Sequence, residues 1–576
     1  MSPLARGAAR IMASIRKNEL KTIWTPTFEA SYSAVATANV DAGASKPVEP
    51  HHANAPVNSG MMFAQARARM ETTKLWQIME RMPKGALLHA HLEAMVDVDW
   101  LIDQIFTEGQ VNRDGSVKGG FCIVAPKALD ASATDESAFG RIASFQMRFY
   151  TSTEFEAHAA NAAAAASIWS PSYQPNTPIP LLIAGTTFPK DGTDGFKAWL
   201  WSRCVITPEE TICHHHSQDA IWRKFQSCFG VLGWLVMYEP IFRRALLRLL
   251  SQLAEGGITY VDFRSAFLFE FRRTGNPHGE VGGDGLDAFY EVFDSVDKEF
   301  KNSELGRAKG WRGARVIWTV MRFMGDRDIV RWMKECVRIK LKWPHLVCGF
   351  DFVAQEDAGK PLADLTRLIF WFRKHCLENG VDIPFFFHAG ETLGDGDGAD
   401  QNLFDAILMG ARRIGHGYSL YKHPLLIEMC KGKKILVESC PISNEILRLS
   451  SSILAHSLPA LLARGVAISL NNDGPAVLGH GRNGLSHDFW QSYMAWENLG
   501  LEGLATMAEN SIKWCAIEDQ NVKDWTRTID DGYTGKGIKA DMLKEWRREF
   551  EKFCQWVILE FAEEDYEDDE DDEDGE

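Results

Sequence analysis

The stretch PFFFHAGE, residues 384–391, shows the two features that decide how this chain folds. It opens with aromatic residues typical of a buried strand, and it ends in polar residues and a glycine. Seven other short runs are rich in β-branched and aromatic residues, and longer segments with helical spacing separate them. The eight runs occupy residues 87–91, 260–266, 315–321, 348–353, 384–390, 413–417, 435–441 and 466–473.

Eight strands that alternate with helices predict an α/β fold, a (β/α)8 TIM barrel of the metal-dependent hydrolase type. In this barrel, chemistry gathers at the carboxyl ends of the strands. The first, fifth, sixth and eighth runs are the ones that end in His, His/Glu, His and Asp. The strand count and the positions of the polar residues therefore point independently to one fold.

The rest of the chain is expected to form additions to this barrel. The gap between the first two runs is far longer than a usual connection, so it should hold an inserted subdomain, in which an alanine-rich segment predicts a helix. A Gly/Ala/Pro/Asn-rich stretch near the N-terminus predicts a flexible segment. The predicted divisions are a helical N-terminal extension at 1–80, the barrel at 81–540 with its insertion at about 100–225, a C-terminal helix at 541–562 and a disordered acidic tail at 563–576.

The net charge of −16 comes mainly from the acidic tail, in which twelve of fourteen residues are acidic. The other residues carry 66 acidic and 62 basic groups, so no basic surface for nucleic acid or an anionic membrane is expected. The tail is interpreted as a solubilising segment, with a role in binding a protein as the alternative.

Several features favour the cytoplasm. No apolar run is long enough to span a membrane, and the first twenty residues lack the pattern of a secretory signal. The eleven cysteines follow no spacing pattern and are expected to be buried thiols, and there is no Asn-x-Ser/Thr glycosylation site. The basic N-terminus is interpreted as a frayed helix, with a mitochondrial transit peptide as the alternative.

Three histidines and an aspartate predict a metal site. His89 and His91 lie two residues apart in a strand, so their side chains share a face and can hold one ion. His388 and Asp473 end other strands of the same barrel and can reach the axis from other sides. Imidazole nitrogens with a carboxylate, and a position left open for water, are what zinc takes in a hydrolytic enzyme. One Zn²⁺ per chain is therefore expected, the alternative being ordinary half-buried histidines.

Two further residues are candidates for catalysis. Glu391 follows His388 across a glycine and could transfer protons near an activated water, although a glutamate on a surface loop would look the same. His416 lies between two glycines at a strand end, which favours contact with a substrate or ion over quiet core packing. Cys440 is expected in the core, and the histidines at 214–216 in a polar loop.

Seven motifs in order resemble the adenosine deaminase superfamily, and within it the adenosine deaminase-related growth factor branch. The resemblance covers about residues 70 to 515, and so many motifs in the right order make chance agreement very unlikely. The motifs are MPKGALLHAHLEA at 82–94, WRKFQSCFGVL at 222–232, GFDFVAQED at 349–357, PFFFHAGET at 384–392, ARRIGHGYSL at 411–420, CPISNEIL at 440–447 and SLNNDGPAVLG at 469–479.

This resemblance implies an aminohydrolase of purine metabolism that converts adenosine, or 2′-deoxyadenosine, to inosine and ammonia with the help of zinc. Glu391 would give a proton to purine N1, and His416 would orient the attacking hydroxide. A purine nucleoside is the implied partner, a homodimer is the candidate assembly, and secretion, common in this branch, is the alternative location. The implied metal ligands are His89, His91, His388 and Asp473, and the implied substrate-binding positions are Glu93, Ala354 and Gly474.

Three of these positions depart from the family pattern. Gly474 replaces a second aspartate that would bond purine N7, Ala354 replaces a glycine beside the purine, and Glu93 is one methylene longer than the usual acid near the sugar. Losing one such contact costs about 1 to 3 kcal/mol. Two alternatives therefore stay open, a deaminase of a different or modified purine or nucleotide, and a binding or signalling protein without turnover.

Overall fold

The computed structural model describes residues 1–24, 63–108, 119–131, 145–154, 167–212, 217–274, 284–481 and 484–565. Within them, eight parallel strands build the barrel and three more strands form a small separate sheet. The barrel strands are β1 Gly85–His91, β5 Ile258–Ser265, β6 Gly313–Met321, β7 Val347–Val353, β8 His388–Ala389, β9 Arg413–His416, β10 Leu436–Ser439 and β11 Ile468–Leu470.

The barrel closes from two parallel half-sheets, in the orders β1-β5-β6-β7 and β8-β9-β10-β11. Two parallel bridges join the halves, one between Phe350 and Phe385 and one between Ala90 and Asp473. Every residue of β7, VCGFDFV, is buried, as expected for a strand covered on both faces. The fold is therefore an α/β TIM barrel, and each of the eight strand-like runs in the sequence contributes to it.

The helices before β1 and those between β1 and β5 lie outside the regular barrel repeat. Helix α1 begins after Ser2, whose hydroxyl accepts a hydrogen bond from the backbone N–H of Ala5 as an N-cap. These helices are α1 Pro3–Thr22, α2 Phe63–Met70, α3 Lys74–Arg81, α4 Val98–Thr107, α5 Leu181–Thr186, α6 Gly192–Cys204, α7 Pro208–Ile212, α8 Gln218–Val236 and α9 Glu239–Glu255.

The remaining helices follow the barrel strands and cover the sheet. For example, α12 buries Ile329, Met333 and Cys336, which have helical spacing, and leaves its charged face to solvent. These helices are α10 Asp284–Asn302, α11 Glu304–Ala308, α12 Asp326–Lys342, α13 Leu362–Glu378, α14 Gly398–Leu408, α15 Pro424–Lys433, α16 Pro441–Ile446, α17 Leu458–Ala463, α18 Gly484–Ala495, α19 Gly500–Lys513, α20 Val522–Asp531 and α21 Ile538–Glu560.

The insertion contains a small antiparallel sheet that the sequence did not suggest. Its strands β2 Gly119–Val124, β3 Gln146–Thr151 and β4 Ile179–Pro180 pair in the order β3-β2-β4. The helix expected in the alanine-rich segment at 157–166 and the loop expected at 214–216 lie outside the described residues, as does the flexible segment expected at 34–60.

The two ends of the described chain pack together. The Ser2 hydroxyl of α1 donates to the Glu551 carboxylate of α21 over 2.9 Å. Helix α21 begins and ends slightly before the predicted 541–562, and a 3-10 turn, Ala562–Asp565, follows it. This turn includes the first three residues of the segment predicted to be a disordered tail, because the backbone carbonyl of Glu564 accepts a hydrogen bond from Ser14. Residues 566–576 lie outside the described part of the chain.

The helices and the cysteines of the described residues can be compared with the sequence expectations. No helix in the described ranges is long and apolar enough to cross a membrane. The ten cysteines that the structure describes are all buried and carry free thiols, as expected.

Candidate metal centre

The barrel brings four histidines and an aspartate together at the carboxyl ends of its strands. His89 and His91 project from the same face of β1, with ring centroids 5.6 Å apart. His388 lies on β8 and His416 ends β9. Asp473 follows β11 and is hydrogen bonded to β1, since its carbonyl accepts from the His91 N–H over 2.7 Å. These positions are the ones that the sequence pattern placed at strand ends.

The Asp473 carboxylate is at the centre of this cluster. Its Oδ1 lies 3.2 Å from His91 Nε2 and 3.6 Å from His89 Nε2. The donor atoms of His89, His388, His416 and Asp473 all lie within 4.8 Å of one another. This compact set contains His416 where the sequence pattern predicted His91, and the His91 Nε2 atom also lies within 3.2 Å of Asp473.

Two buried carboxylates hold the outer nitrogens of two of the histidines. His89 Nδ1–H donates to Glu438 over 2.9 Å, and His388 Nδ1–H donates to Asp351 over 2.7 Å. A neutral ring with its proton on Nδ1 has its lone pair on Nε2, as in metal-binding histidines. Glu438 and Asp351 were not among the predicted site residues, although an acidic residue inside an apolar strand was an available signal.

Two buried arginines keep these carboxylates ionised. Arg264 donates to Asp351 over 2.8 Å and to Glu438 over 2.7 Å, and Arg413 also pairs with Glu438. Burial alone would raise both carboxyl pKa values. The hydrogen bonds from His388 and Arg264, with the charge of Arg264, nevertheless lower the pKa of Asp351 to about 2, and the charges of Arg264 and Arg413 hold the pKa of Glu438 well below its usual range.

The polar atoms that face the centre fit a divalent cation that prefers nitrogen and oxygen, such as zinc. The Nε2 atoms of His89 and His416 are buried and have no hydrogen-bond partner among the described residues, which is costly unless a ligand satisfies them. Burial lowers the pKa of His388 to about 3 and lowers the pKa of His91 and His416 as well. The shifts at His388, His91 and His416 all favour the neutral imidazole, the form that binds a metal.

Glu391 lies beside this centre with only 2% of its surface exposed. Its Oε1 is 3.4 Å from His416 Nδ1, and its backbone N–H donates to Glu356 over 2.9 Å. Burial, followed by the nearby charges of Asp473 and Glu356, raises the pKa of the Glu391 carboxyl well above its usual range. The alternative of a surface glutamate on a loop is wrong, and a buried neutral carboxyl can donate a proton.

Backbone strain is concentrated at the site. Three of the seven non-glycine residues with positive φ in the described chain are Ala354 at 85°, His416 at 59° and Asp473 at 57°. Such conformations persist where the surrounding structure enforces them, commonly in active sites. Gly415 allows close approach, because a Cβ there would lie 3.0 Å from Cε1 of His89.

The insertion supplies one side of the site. A Cβ added at Gly474 would lie 3.2 Å from the Ala94 methyl group and 3.6 Å from ring atoms of Phe225 and Phe229 on α8. The Phe229 ring also contacts His91, with centroids 5.7 Å apart. Gly474 therefore faces an apolar wall, formed by Ala94, Phe225 and Phe229, at the position where the family pattern has a carboxylate.

Glu93, just after strand β1, is buried. Its carboxylate accepts a hydrogen bond from the Ser265 hydroxyl over 2.7 Å. Burial raises its pKa to about 7. Ala354 is followed by Gln355, whose amide donates to Asp219 on α8 over 3.0 Å and so ties the insertion to the strand end beside the centre.

The chain resembles known proteins in sequence and in structure. A profile of the family described as adenosine deaminase matches residues 207–531. Adenosine deaminase 2-A of Danio rerio is 29% identical over 81% of this chain and 81% of its own length. An adenosine deaminase of Lutzomyia longipalpis is 28% identical over 84% of this chain and 80% of its own. The crystal structure of adenine deaminase from Arthrobacter aurescens covers 81% of this chain and 99% of its own at 15% identity, with a TM-score of 0.45.

Proposed function

Because this chain belongs to the adenosine deaminase family and is an aminohydrolase, we propose that it uses zinc to hydrolyse adenosine or 2′-deoxyadenosine to inosine and ammonia. One observation carries this proposal. Imidazoles and the Asp473 carboxylate converge in a buried cluster, next to the buried carboxyl of Glu391, whose pKa is raised well above its usual range. A metal donor set and a proton donor are the two components that hydrolytic deamination of a purine ring needs.

We assign the metal ligands as His89, His91, His388 and Asp473. The Nε2 atoms of His89 and His91 both face Asp473 Oδ1, and carboxylates orient His89 and His388. Bound zinc would supply the Lewis acidity that brings the pKa of a water to about 7.

Side chains and one backbone amide of the protein transfer protons and position the substrate. Glu391 gives its proton to purine N1, which makes C6 more electrophilic and prepares it for attack by water. His416 orients the attacking water, and the backbone N–H of Ala354 faces the purine. The Glu93 carboxylate, held by Ser265, belongs to the sugar side of the pocket. One proton of the attacking water restores the Glu391 carboxyl, and the other moves from the new oxygen on C6 to the amino group. The C6–N bond then breaks, ammonia leaves, and the C6 carbonyl of inosine remains.

A second candidate keeps the chemistry and changes the substrate. The side chains around Gly474, those of Ala94, Phe225 and Phe229, offer no hydrogen-bond donor to a purine nitrogen, so this side of the pocket favours a modified purine or nucleotide. A binding protein without turnover is the weaker alternative, because it would not need Glu391 buried beside the metal ligands. The buried free thiols support the cytoplasm as the location.

A substrate panel with two variants tests the proposal. Purified, zinc-loaded protein is assayed for ammonia release from adenosine, 2′-deoxyadenosine, N6-modified adenosines and adenosine monophosphate. We expect Glu391→Gln to keep zinc and lose turnover by a factor of about 100 to 10,000, and His388→Ala to lose both. Full turnover in Glu391→Gln would remove this carboxyl from the mechanism, and no ammonia from any purine would leave the binding protein as the explanation.

A further inference from the structure

The compact donor set leaves a choice between His91 and His416 as the remaining metal ligand, and a chain of hydrogen bonds behind His416 decides it. The chain begins at a backbone amide. The N–H of Leu458 donates to Nδ1 of His456 over 3.0 Å. A backbone N–H can only donate, so Nδ1 of His456 is an acceptor, and the proton of this neutral ring must be on Nε2.

The second step fixes the orientation of an asparagine amide. His456 Nε2 lies 3.0 Å from the side-chain oxygen of Asn444. Because Nε2 carries the proton, it donates, and the atom facing it has to be the amide oxygen rather than the amide nitrogen. Asn444 is completely buried and His456 is nearly so, so water does not compete for these groups.

The third step fixes the tautomer of His416. The Asn444 amide nitrogen, now assigned, lies 3.2 Å from His416 Nδ1 and can only donate to it. His416 Nδ1 is therefore an acceptor, and the proton of the neutral ring lies on Nε2. That Nε2–H is buried beside the donor set without a partner among the described residues.

This tautomer is the opposite of that in the other two histidines. His89 and His388 have carboxylates at Nδ1, so their Nε2 lone pairs are free to bind a metal. His416 has an amide donor at Nδ1, so its Nε2 presents a proton instead. We infer that Asn444 and His456 are positioning residues that keep His416 out of the metal's coordination shell and make it a hydrogen-bond donor to the attacking water. This inference rests on the proposed function and adds the reason why His416 and His91 have different roles.

The isosteric variant Asn444→Asp reverses the direction of the hydrogen bond at His416 Nδ1. A carboxylate has no donor, so His416 Nδ1 would take the proton and its Nε2 lone pair would become available to the metal. We expect kcat for adenosine to fall by a factor of about 100 or more while KM changes less than about threefold, because the lost group acts on the water rather than on the purine. We also expect the visible spectrum of the Co²⁺-substituted protein to change, since a ligand is added.

Two further variants complete the test. Asn510→Asp places the same change at a part-buried asparagine that binds the Ile468 carbonyl, and should leave both readouts unchanged. His456→Phe removes the group that orients the amide and retains an aromatic ring beside Tyr418, so kcat should fall several-fold with an unaltered metal content. This variant keeps the inference testable if Asn444→Asp does not fold.

Two results would overturn the inference. The first is a kcat within about twofold of the unaltered chain in folded Asn444→Asp, and the second is a Co²⁺ spectrum that does not change in this variant. If the unaltered chain does not deaminate adenosine at all, the proposed substrate fails, while the Co²⁺ spectra of the variants still report whether His416 has become a ligand.

Discussion

Asp473 connects three parts of the site. Its backbone closes the barrel against β1, its Oδ1 faces His89 and His91, and its Oδ2 accepts a hydrogen bond from Ser443 over 2.8 Å. Burial would raise its pKa, but the neighbouring imidazoles hold the pKa well below the usual range, so it is an anion. Its left-handed backbone aims this charge at the histidines and explains why an aspartate, which tolerates that conformation, occupies the position.

The different roles of His91 and His416 can be separated by metal content. We expect His91→Ala to lose most of its zinc on dialysis, because one of four ligands is gone. His416→Ala should retain about one zinc per chain and lose turnover. Metal analysis after dialysis against a weak chelator measures this, with thermal unfolding as the control for folding. Zinc that is lost from His416→Ala and kept by His91→Ala would move His416 into the ligand set.

Gly474 allows a sharp test of substrate recognition. An aspartate there would place its Cβ 3.2 Å from the Ala94 methyl and its charge against Phe225 and Phe229. A buried polar group without a partner costs about 1 to 3 kcal/mol and a charged group costs more, so we expect kcat/KM for adenosine to fall by at least about tenfold to a hundredfold in Gly474→Asp. Gly474→Ala adds only the Cβ and should cost less than about fivefold. A higher kcat/KM in Gly474→Asp would show instead that the family carboxylate had simply been lost.

At the scale of elements, strands β7 and β10 do more than form the barrel wall. Each carries one buried acid. Asp351 orients His388 on the adjacent strand β8, and Glu438 orients His89 on β1, which lies beyond β11. Arg264 of β5 bridges the two acids. The histidine orientations are therefore coupled through one guanidinium. Removing one member of such a buried pair leaves an uncompensated charge, so this network stabilises the site only as a complete set.

The N-terminal extension is joined to the barrel by a buried acid whose protonation should make stability depend on pH. Glu445 of α16 accepts a hydrogen bond from the Phe63 N–H of α2 over 2.8 Å. Burial raises its pKa from 4.5 to about 7. Since the folded-state pKa lies above the unfolded-state pKa, the folded protein holds the extra proton between these values. The protonated carboxyl therefore contributes fully to the free energy of unfolding below pH 4.5, and this contribution is lost as pH rises through 7.

Glu445→Gln should therefore stabilise the protein at high pH and not at low pH. We expect a gain of about 1 to 3 kcal/mol at pH 8, shrinking to nothing near pH 4.5, because glutamine keeps the acceptor for Phe63 and never ionises. Denaturant unfolding at both pH values measures this difference. Glu428→Gln, at a side chain 64% exposed, is the matched control and should show no such trend. Equal effects of Glu445→Gln at both pH values would contradict the prediction.

At the scale of the whole molecule, the features that could be predicted from the sequence are those that depend on local residue patterns. The eight strands follow from apolar runs, and His89, His388 and Asp473 could be placed together because parallel strands bring their carboxyl ends to one edge. Strand pairs in the insertion were missed because short, non-adjacent segments form them. The hydrogen bonds from His456 through Asn444 to His416 depend on side-chain orientation in the folded barrel, which no spacing reveals.

The barrel closes at the same place where the metal ligands meet, which links the ion to the stability of the whole molecule. Between β1 and the end of β11 the seam has few backbone bonds, and the Asn471 amide oxygen supplements them by accepting from the N–H groups of Leu88 and His89, each over 3.0 Å. An ion that binds residues on both sides of this seam, and binds only the folded state, adds about 3 to 4 kcal/mol when its free concentration is 100 to 1,000 times its Kd.

Removing the metal should therefore lower Tm, and adding zinc should restore it. Differential scanning calorimetry of the full chain before and after chelation measures the shift. Glu391→Gln should retain the zinc-dependent shift, because this residue is not a ligand. Asp473→Asn, which keeps the size and the left-handed backbone of the residue but weakens its hold on a cation, should lose most of it. A Tm that is the same with and without zinc in the unaltered chain would separate the metal site from the closure of the barrel, and the seam would then depend on its hydrogen bonds alone.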